Sequence, residues 1–281
     1  MPELPEVEHL RRSLDPALVG ARLLRVAVRR RSVVSRSGAE LERALLAGSR
    51  IRSTTRHGKQ MALIADDGRA LVVQLGMTGS VTIESGPPPK GMEGRHRHVV
   101  WELEGARRMV FRDPRRFGGL TAYESEASLR AAWSSLGPDA LLILPKELGR
   151  HLVEVFAGRQ RPVKAALLDQ AVLAGLGNIY ADEALFAARI HPLRPVAGLT
   201  PSDCGALAKE AHRILTVAAD RGGSTLRDYR DAFGRPGDAV QIHQVYGRGG
   251  EPCVRCEAKI ESIRLQGRTT AFCPRCQDLS T

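Results

Sequence analysis

Two pairs of cysteines near the C-terminus constrain the fold of this chain more than any other feature. Cys253 and Cys256 form one pair, Cys273 and Cys276 form a second, and residues 257–272 separate them. Four thiolates at this spacing are typical of a closed tetrahedral zinc site. Disulfides are the alternative, but no signal peptide or apolar span of about 18 residues is present. We therefore expect a cytoplasmic chain with reduced thiols and one structural zinc ion that shapes a ribbon without activating water.

The segment between the two cysteine pairs predicts a short hairpin. Residues 259–265 alternate between polar and apolar side chains, as a strand does, and Gln266-Gly267 supplies a turn. Arg268 follows that turn, so we expect it near the tip of a two-stranded zinc ribbon.

The N-terminal segment Met1-Pro2-Glu3-Leu4-Pro5-Glu6 predicts both a helix start and a reactive amine. Removal of Met1 would leave Pro2 as a secondary amine that can attack a sugar aldehyde carbon and form an iminium ion. Glu3 and Glu6 lie beside this amine and could carry protons. Pro5 suits the first turn of a helix. A helix N-terminus disfavours the ammonium form of a nearby amine, so the two interpretations are compatible.

The composition favours a polyanionic partner. The 281 residues include 42 basic and 31 acidic side chains, a net charge of +11. Nucleic acid is the usual partner of such a chain, and no basic amphipathic helix with aromatic anchors suggests a membrane surface. Aromatic residues make up only 4% of the chain, too few for the stacking platforms of single-strand binders. We therefore expect double-stranded DNA, held through its phosphates.

The hydrophobic pattern changes along the chain from strands to helices. Residues 21–125 contain short apolar or alternating runs separated by Gly and Asp turns, which is typical of an antiparallel sandwich. The predicted strands are Leu23–Val28, Met61–Ala65, Leu71–Gln74, Val99–Leu103 and Met109–Phe111. Beyond residue 148 the period becomes helical, with helices expected at 163–173, at 180–189 and from Pro201 to Arg221. The expected fold class is α+β.

A glycine-rich turn, Gly175-Leu176-Gly177-Asn178, separates two of the predicted helices. It would place backbone N–H groups and the Asn178 side chain at a helix N-terminus, which is a ready phosphate site. An ordinary interhelical turn would use the same residues, and these residues by themselves favour that alternative. Residues 223–240 are polar and rich in glycine, so we expect a mobile loop there.

Four features in this order resemble the bacterial formamidopyrimidine-DNA glycosylases of the Fpg/Nei family. They are Pro2-Glu3-Leu4-Pro5-Glu6, Gly58-Lys59, the run from Gly175 to Glu183, and the four-cysteine ribbon. Further matches are Leu75-Gly76-Met77-Thr78-Gly79, Asp113-Pro114-Arg115-Arg116-Phe117-Gly118, Leu136-Gly137-Pro138 and Val245-Tyr246-Gly247-Arg248. The resemblance spans essentially the whole chain.

The resemblance implies a base-excision repair enzyme that removes 8-oxoguanine and formamidopyrimidines from duplex DNA. It also implies AP lyase activity by β,δ-elimination through a Schiff base on Pro2, with Glu3 as the proton carrier. The damaged nucleotide has to leave the helix to be reached, and a wedge of side chains has to fill the resulting gap. The implied partner is DNA containing oxidised bases or abasic sites, and the implied state is a monomer with no membrane association.

The family motifs imply a role for each matched residue of this chain. The implied catalytic residues are Pro2, Glu3, Lys59 and Arg268, supported by Glu6; the implied wedge is Met77, Arg115 and Phe117; the implied DNA contacts are His96, Arg115, Lys164, Asn178 and Tyr180. From the pattern alone, Met77 and Phe117 would be core side chains. Relatives often have an acidic residue at the place of Arg97, so this position is expected to add positive charge.

The resemblance also implies three domains and leaves two alternatives. The domains are an N-terminal catalytic β-sandwich domain (1–133), a helix-two-turn-helix DNA-binding domain with a lesion-capping loop (134–244) and a zinc finger (245–281). The sister activity, an endonuclease VIII-type glycosylase for oxidised pyrimidines, usually carries Gly at the place of Leu4. A non-catalytic zinc-ribbon DNA-binding protein would need neither a free Pro2 nor Glu3.

Overall fold

The computed structural model describes residues 2–35, 40–87, 95–225 and 229–279. Two sequence expectations fall wholly or partly outside these residues: the removal of Met1, and residues 226–228 of the loop expected at 223–240.

Most of the described strands precede most of the described helices along the chain, and the last two strands follow them. The helices are α1 (Leu4–Leu18), α2 (Leu41–Ala44), α3 (Glu126–Trp133), α4 (Pro145–Phe156), α5 (Val163–Leu167), α6 (Asn178–Ala187) and α7 (Pro201–Asp220). The strands are β1 (Leu23–Val28), β2 (Ile51–His57), β3 (Gln60–Ala65), β4 (Ala70–Gln74), β5 (Ser80–Ser85), β6 (Arg97–Leu103), β7 (Arg107–Arg112), β8 (Gly119–Tyr123), β9 (Glu261–Leu265) and β10 (Arg268–Phe272).

Two four-stranded antiparallel sheets form the N-terminal part of the fold. Their strand orders are β1-β6-β7-β5 and β2-β3-β4-β8, and residues from both sheets, among them Leu63 and Phe111, share one hydrophobic core. The predicted antiparallel sandwich is therefore confirmed. Strands β2, β5 and β8 were not expected from the sequence. β2 and β5 are rich in Ser, Thr and charged residues, and β8 has only two aliphatic side chains in five residues. Each becomes a strand by pairing with a neighbouring strand of its sheet.

Helix α1 packs on this core through the expected apolar face. Val7, Leu10 and Leu14 are each at most 1% exposed and belong to the same core cluster. The helix also contacts β2 and β3. Its N-terminus is thereby attached to the sandwich, which matters because Pro2 and Glu3 immediately precede it.

The described chain forms two compact units that differ from the three sequence ranges. One unit contains residues 1–135 and 219–238, and the other contains residues 136–218 and 239–281. The segment 219–238 groups with the sandwich because the backbone N–H groups of Ser224 and Ala232 donate to the side chains of Glu6 and Ser13. The domain boundaries by sequence range stay a prediction.

The second unit contains the helices α4 to α6, most of α7, and the ribbon. The helix expected at 163–173 ends at Leu167, because the Gln170 side chain bonds the backbone of Gly175 and Leu176 and builds a turn. Helix α7 begins where expected, and Thr200 Oγ1 accepts the N–H of Asp203 at 3.1 Å. None of the helices in the described ranges combines the length and apolar character needed to cross a bilayer.

Candidate active site and zinc centre

The N-terminal end of α1 is buried and held by one carboxylate. Pro2 is buried, and Glu3 and Glu6 are 3% and 1% exposed. The Glu6 carboxylate accepts hydrogen bonds from the N–H of Glu3 at 2.7 Å and from the N–H of Ser224 at 2.6 Å. Glu6 therefore fixes the backbone of Glu3, next to the Pro2 nitrogen.

The segment after α7 packs against the same carboxylate. Tyr229 Oη donates to the carbonyl of Glu6 at 2.7 Å. Gly223 has φ +76°, and a Cβ there would lie 2.7 Å from Glu6 Cγ, so only glycine fits without displacing Glu6. Burial and the nearby Glu6 charge raise the pKa of Tyr229, which keeps its hydroxyl a donor.

Lys59 lies in the tight turn between β2 and β3. Gly58 has φ +57°, a conformation suited to glycine at the first turn position. Arg56 Nη1 donates to the Gly58 carbonyl at 2.9 Å, and Arg56 Nε donates to Glu8 in α1 at 3.0 Å. This arginine therefore ties the Lys59 turn to the helix.

Side-chain contacts between α1 and β2 show in which direction the helix runs along the strand. Arg11 and Asp15, farther along α1, hydrogen-bond Thr54, whereas Glu8 pairs with Arg56. Moving toward the N-terminus of α1 therefore means moving along β2 toward its turn. The structure thus places Lys59 at the same end of the sandwich as Pro2.

The carboxylate of Glu8 provides a pH-dependent part of this attachment. Burial alone would raise its pKa, but hydrogen bonds from Arg11, Arg12 and Arg56 outweigh burial and lower the pKa from 4.5 to about 2. Because the pKa is lower in the folded state, this stabilisation is complete above about pH 4.5 and is lost as the pH falls toward 2.

We therefore expect Glu8→Gln to lower the urea midpoint of unfolding at neutral pH. The difference from the wild-type chain should narrow as the pH falls from 4.5 toward 2, since both chains then carry a neutral group. Urea titrations followed by circular dichroism at several pH values measure this difference. A difference in urea midpoint that does not change with pH would contradict the stabilising role assigned to the Glu8 carboxylate.

The three expected wedge residues are exposed on two neighbouring loops. Met77, in the β4–β5 turn, is 42% exposed, and Phe117, in the β7–β8 loop, is 57% exposed. The Arg115 guanidinium carbon lies 4.6 Å from the centre of the Phe117 ring. Hydrophobic pattern alone would place Met77 and Phe117 in the core; the structure exposes both.

His96 and Arg97 have different environments. His96 is exposed, with φ +59°. The Arg97 side chain is 2% exposed, and its Nη1 lies 2.5 and 2.6 Å from the two carboxylate oxygens of Glu84. The expected extra positive charge is therefore neutralised inside the sandwich, which corrects the expectation drawn from the sequence.

The glycine-rich turn of the second unit presents Asn178 at the start of α6. Gly175 has φ +113°, and Gly177 is the N-cap of the helix. Asn178 Nδ2 donates to the carbonyl of Thr269 at 2.9 Å, and Asn178 Oδ1 has no hydrogen-bond partner among the described residues. The turn therefore joins α6 to the ribbon.

Lys164 is not at the surface, contrary to the expected phosphate contact. It is 0% exposed, and its Nζ lies 2.6 Å from Asp182 Oδ1 and 2.7 Å from Thr270 Oγ1. Burial raises the pKa of Asp182 to about 7, and the Lys164 ammonium and the N–H of Ala271 act in the opposite direction. An ammonium in this pair cannot reach a phosphate without leaving a buried carboxylate uncompensated.

Tyr180 also differs from its expected surface role, since it is 1% exposed in α6.

Arg268 matches its expected place. It is exposed and begins β10, directly after a turn in which Gln266 and Gly267 have φ +50° and +75°. Two positive φ values in a two-residue loop match the twist of a hairpin.

The four cysteines meet at one point. Their Sγ atoms all lie within 4.8 Å of one another, with separations of 3.9 Å for Cys253–Cys276 and 3.5 Å for Cys256–Cys273. Tetrahedral zinc with Zn–S bonds of about 2.3 Å requires sulfur–sulfur distances of about 3.8 Å, whereas a disulfide requires about 2.05 Å. The donor set fits one zinc ion.

Acidic residues of α6 that the sequence did not single out fasten the ribbon. Asp182 Oδ2 accepts the N–H of Ala271 at 3.0 Å. Glu183 accepts the N–H groups of Gln244, Val245 and Tyr246 at 2.8 to 3.0 Å. The only sequence signal for Asp182 and Glu183 was their place at the end of the run Gly175 to Glu183. Buried carboxylates need hydrogen-bond partners, and the backbone N–H groups of these segments supply them.

Three family models match consecutive parts of the chain. They are the formamidopyrimidine-DNA glycosylase N-terminal domain at residues 1–120, the formamidopyrimidine-DNA glycosylase H2TH domain at 136–230, and the zinc finger found in FPG and IleRS at 250–279. The zinc-finger match and the sulfur geometry together assign one structural zinc ion to the four cysteines.

Full-length relatives agree with these matches. The formamidopyrimidine-DNA glycosylase of Chloroflexus aurantiacus is 40% identical, covering 99% of this chain and 98% of the relative. A Lactococcus lactis Fpg complex with abasic-site DNA has a TM-score of 0.89 at 31% identity, covering 99% of this chain and 100% of the relative. The MutM (FPG) protein of Thermus thermophilus has a TM-score of 0.85 at 39% identity, covering 98% of each chain. The chain belongs to the formamidopyrimidine-DNA glycosylase family.

Proposed function

We propose that this chain removes 8-oxoguanine and formamidopyrimidines from duplex DNA and then cleaves the strand through a Schiff base on Pro2. As a member of its family it is a DNA glycosylase with AP lyase activity. The observation that carries the proposal is the buried N-terminal arrangement in which Glu6 fixes the backbone of Glu3 beside Pro2. Rigid placement of a nucleophile and an acid is what covalent catalysis requires.

In the proposed mechanism, the neutral Pro2 nitrogen attacks C1′ of the extruded nucleotide. The bond from C1′ to the base breaks, and the base leaves with the electron pair and takes up the proton that the Pro2 nitrogen loses. Glu3 donates a proton to O4′ as the sugar ring opens, which gives the iminium ion. Loss of a 2′ proton then expels the 3′ phosphate, and a second elimination expels the 5′ phosphate.

Lys59 and the wedge residues are assigned to the same reaction. Lys59 lies at the Pro2 end of the sandwich, where a cation can pair with the phosphate of the damaged nucleotide. Met77, Arg115 and Phe117 are exposed on adjacent loops, as side chains that fill a gap in the base stack must be. His96 is exposed and is assigned to the DNA backbone.

The second unit is assigned to phosphate binding through Asn178 and Arg268. Asn178 is the first residue of α6, whose N-terminus favours an anion, and its side-chain NH₂ group has a second N–H besides the one donated to Thr269. Arg268 is an exposed cation at the ribbon tip. Lys164 and Tyr180 are assigned to support of this surface and not to direct phosphate contact, because both are buried.

We further propose that the protein acts as a cytoplasmic monomer at the nucleoid; light scattering with and without duplex would measure its mass.

Solved relatives support the proposed substrates and also keep the pyrimidine alternative open. Lactococcus lactis Fpg proteins have been solved with DNA that contains Fapy-dG, an abasic site or an oxidised pyrimidine, and MutM with carbocyclic 8-oxo-G DNA. Single-turnover assays on otherwise identical duplexes carrying 8-oxoguanine, formamidopyrimidine or thymine glycol decide between the alternatives. Faster excision of thymine glycol than of 8-oxoguanine would overturn the purine assignment.

The nucleophile can be identified by trapping. Sodium borohydride should reduce the iminium and link enzyme and lesion DNA covalently, and Pro2→Gly should weaken that product because a primary amine replaces the secondary one. Gel electrophoresis measures the trapped fraction. Strong trapping by a form that retains Met1 would exclude Pro2, because its nitrogen is then an amide; no trapping at all would favour a non-catalytic DNA-binding protein.

Substitution of a phosphate-binding residue and of a wedge residue should change the salt dependence of DNA affinity differently. Arg268→Ala should flatten the slope of log affinity against log salt by about 0.9 and weaken binding to damaged and undamaged duplex alike. Met77→Ala should leave the slope unchanged and reduce the preference for lesion DNA, since the wedge acts only on the opened stack. Fluorescence anisotropy titrations at several salt concentrations measure both quantities. The same salt slope and the same preference for lesion DNA in both variants would refute the separate roles of Arg268 and Met77.

A further inference from the structure

One buried carboxylate connects the two loops that carry the wedge side chains. Asp113 follows β7 and is 0% exposed. Its Oδ1 accepts hydrogen bonds from Thr78 Oγ1 at 2.5 Å and from the N–H of Arg115 at 3.2 Å, and its Oδ2 accepts the N–H of Gly118 at 2.7 Å. The Thr78 hydroxyl belongs to the Met77 loop, whereas Arg115 and Gly118 belong to the Phe117 loop.

The two loops also touch through their backbones. Gly76 has φ +61°, and a Cβ there would lie 2.4 Å from the backbone nitrogen of Gly118. A Cβ on Gly118 would in turn lie 2.4 Å from the carbonyl oxygen of Gln74. Neither glycine can carry a side chain without displacing the backbone of the other loop. The loops are therefore held together by close backbone packing and by the hydrogen bonds of the Asp113 carboxylate.

We propose that Asp113 is a positioning residue that holds Met77, Arg115 and Phe117 as one rigid wedge before DNA binds. This inference rests on the proposed function. Fixing the three side chains in advance removes the cost of ordering two loops when the base stack opens. Asp113 itself is buried beneath the loops and acts on DNA only through the residues it holds.

A side chain with two acceptor oxygens is required at position 113, because Thr78 Oγ1 and the N–H groups of Arg115 and Gly118 all donate to it. A carboxylate accepts through both oxygens, whereas an amide of the same shape presents an NH₂ group at one position. In Asp113→Asn, that NH₂ group would face either the Gly118 N–H or the Thr78 and Arg115 donors. Thr78→Val tests the other side of the contact, since it removes the hydroxyl and keeps the shape.

The first measurement is single-turnover excision of 8-oxoguanine from a fully paired duplex. We expect Asp113→Asn to slow excision about tenfold, the usual effect of losing one hydrogen bond to a charged group, and Thr78→Val to slow it in the same direction. The matched control is Asp139→Asn, which alters another buried carboxylate that accepts backbone N–H groups, those of Leu141 and Leu142. Melting temperatures are measured for all variants, and Thr78→Val decides the matter if Asp113→Asn fails to fold.

The second measurement distinguishes positioning from general stability. In a wedge-free background with Met77, Arg115 and Phe117 all changed to alanine, adding Thr78→Val or Asp113→Asn should cause no further loss of excision. An equal loss in both backgrounds, or no loss in the wild-type background, would overturn the inference. Failure of the wild-type chain to excise 8-oxoguanine would instead refute the proposed function, so the two failures are distinguishable.

Discussion

Glu3→Gln is expected to lower the rate of 8-oxoguanine excision by about 10²–10⁴-fold, the usual contribution of a general acid. Glutamine keeps the shape of the side chain but cannot donate the proton that ring opening needs. The fold should be retained, because the Glu3 side chain accepts the backbone N–H of Glu6 in the capping box of α1, and glutamine keeps an acceptor oxygen for that hydrogen bond. Duplex binding should therefore remain close to that of the wild-type chain.

Single-turnover excision and fluorescence anisotropy separate these two properties. Glu154→Gln, an exposed glutamate of α4, is a matched control that makes the same chemical change on the surface. Unchanged excision by Glu3→Gln would exclude Glu3 as the acid. Loss of both excision and binding together with a lower melting temperature would assign Glu3 to the fold instead.

Cys273→Ser is expected to release the zinc ion and unfold the ribbon. Binding of a structural zinc ion contributes about 10–16 kcal/mol to small zinc-dependent folds, so the ribbon cannot keep its shape with three thiolates and one hydroxyl. Arg268 and the Thr269 carbonyl that bonds Asn178 both lie on β10, which ends one residue before the lost ligand. Lesion binding should therefore weaken, while the circular dichroism of the β-sheets is largely retained.

Zinc content by mass spectrometry of the purified protein and anisotropy with lesion duplex test this expectation. Cys204→Ser is the matched control, because Cys204 is buried in α7 outside the four-cysteine cluster. Burial raises the pKa of its thiol, which keeps it protonated. Wild-type protein that contains no stoichiometric zinc when purified under reducing conditions would count decisively against the metal assignment.

The sequence by itself determined the features that depend on short spacings. Cys-x2-Cys pairs place two thiolates on one turn, so the cluster at Cys253 and Cys273 could be predicted without any long-range contact. The start of α1 and the cap of α7 at Thr200 are equally local, since each depends on side chains within three residues. The sandwich could be predicted from alternating runs such as Leu23–Val28, which coincide with a strand of the structure.

Only the tertiary structure decided which polar and apolar side chains are buried. Lys164 looked like a phosphate ligand, but a hydroxyl 106 positions away and the Asp182 carboxylate surround its ammonium. Arg97 is neutralised by Glu84 from another strand, and Met77 is exposed because its loop packs backbone to backbone against a loop 35 or more positions away. Burial and charge pairing arise between segments that are distant in sequence, and a local pattern carries no information about which segments meet.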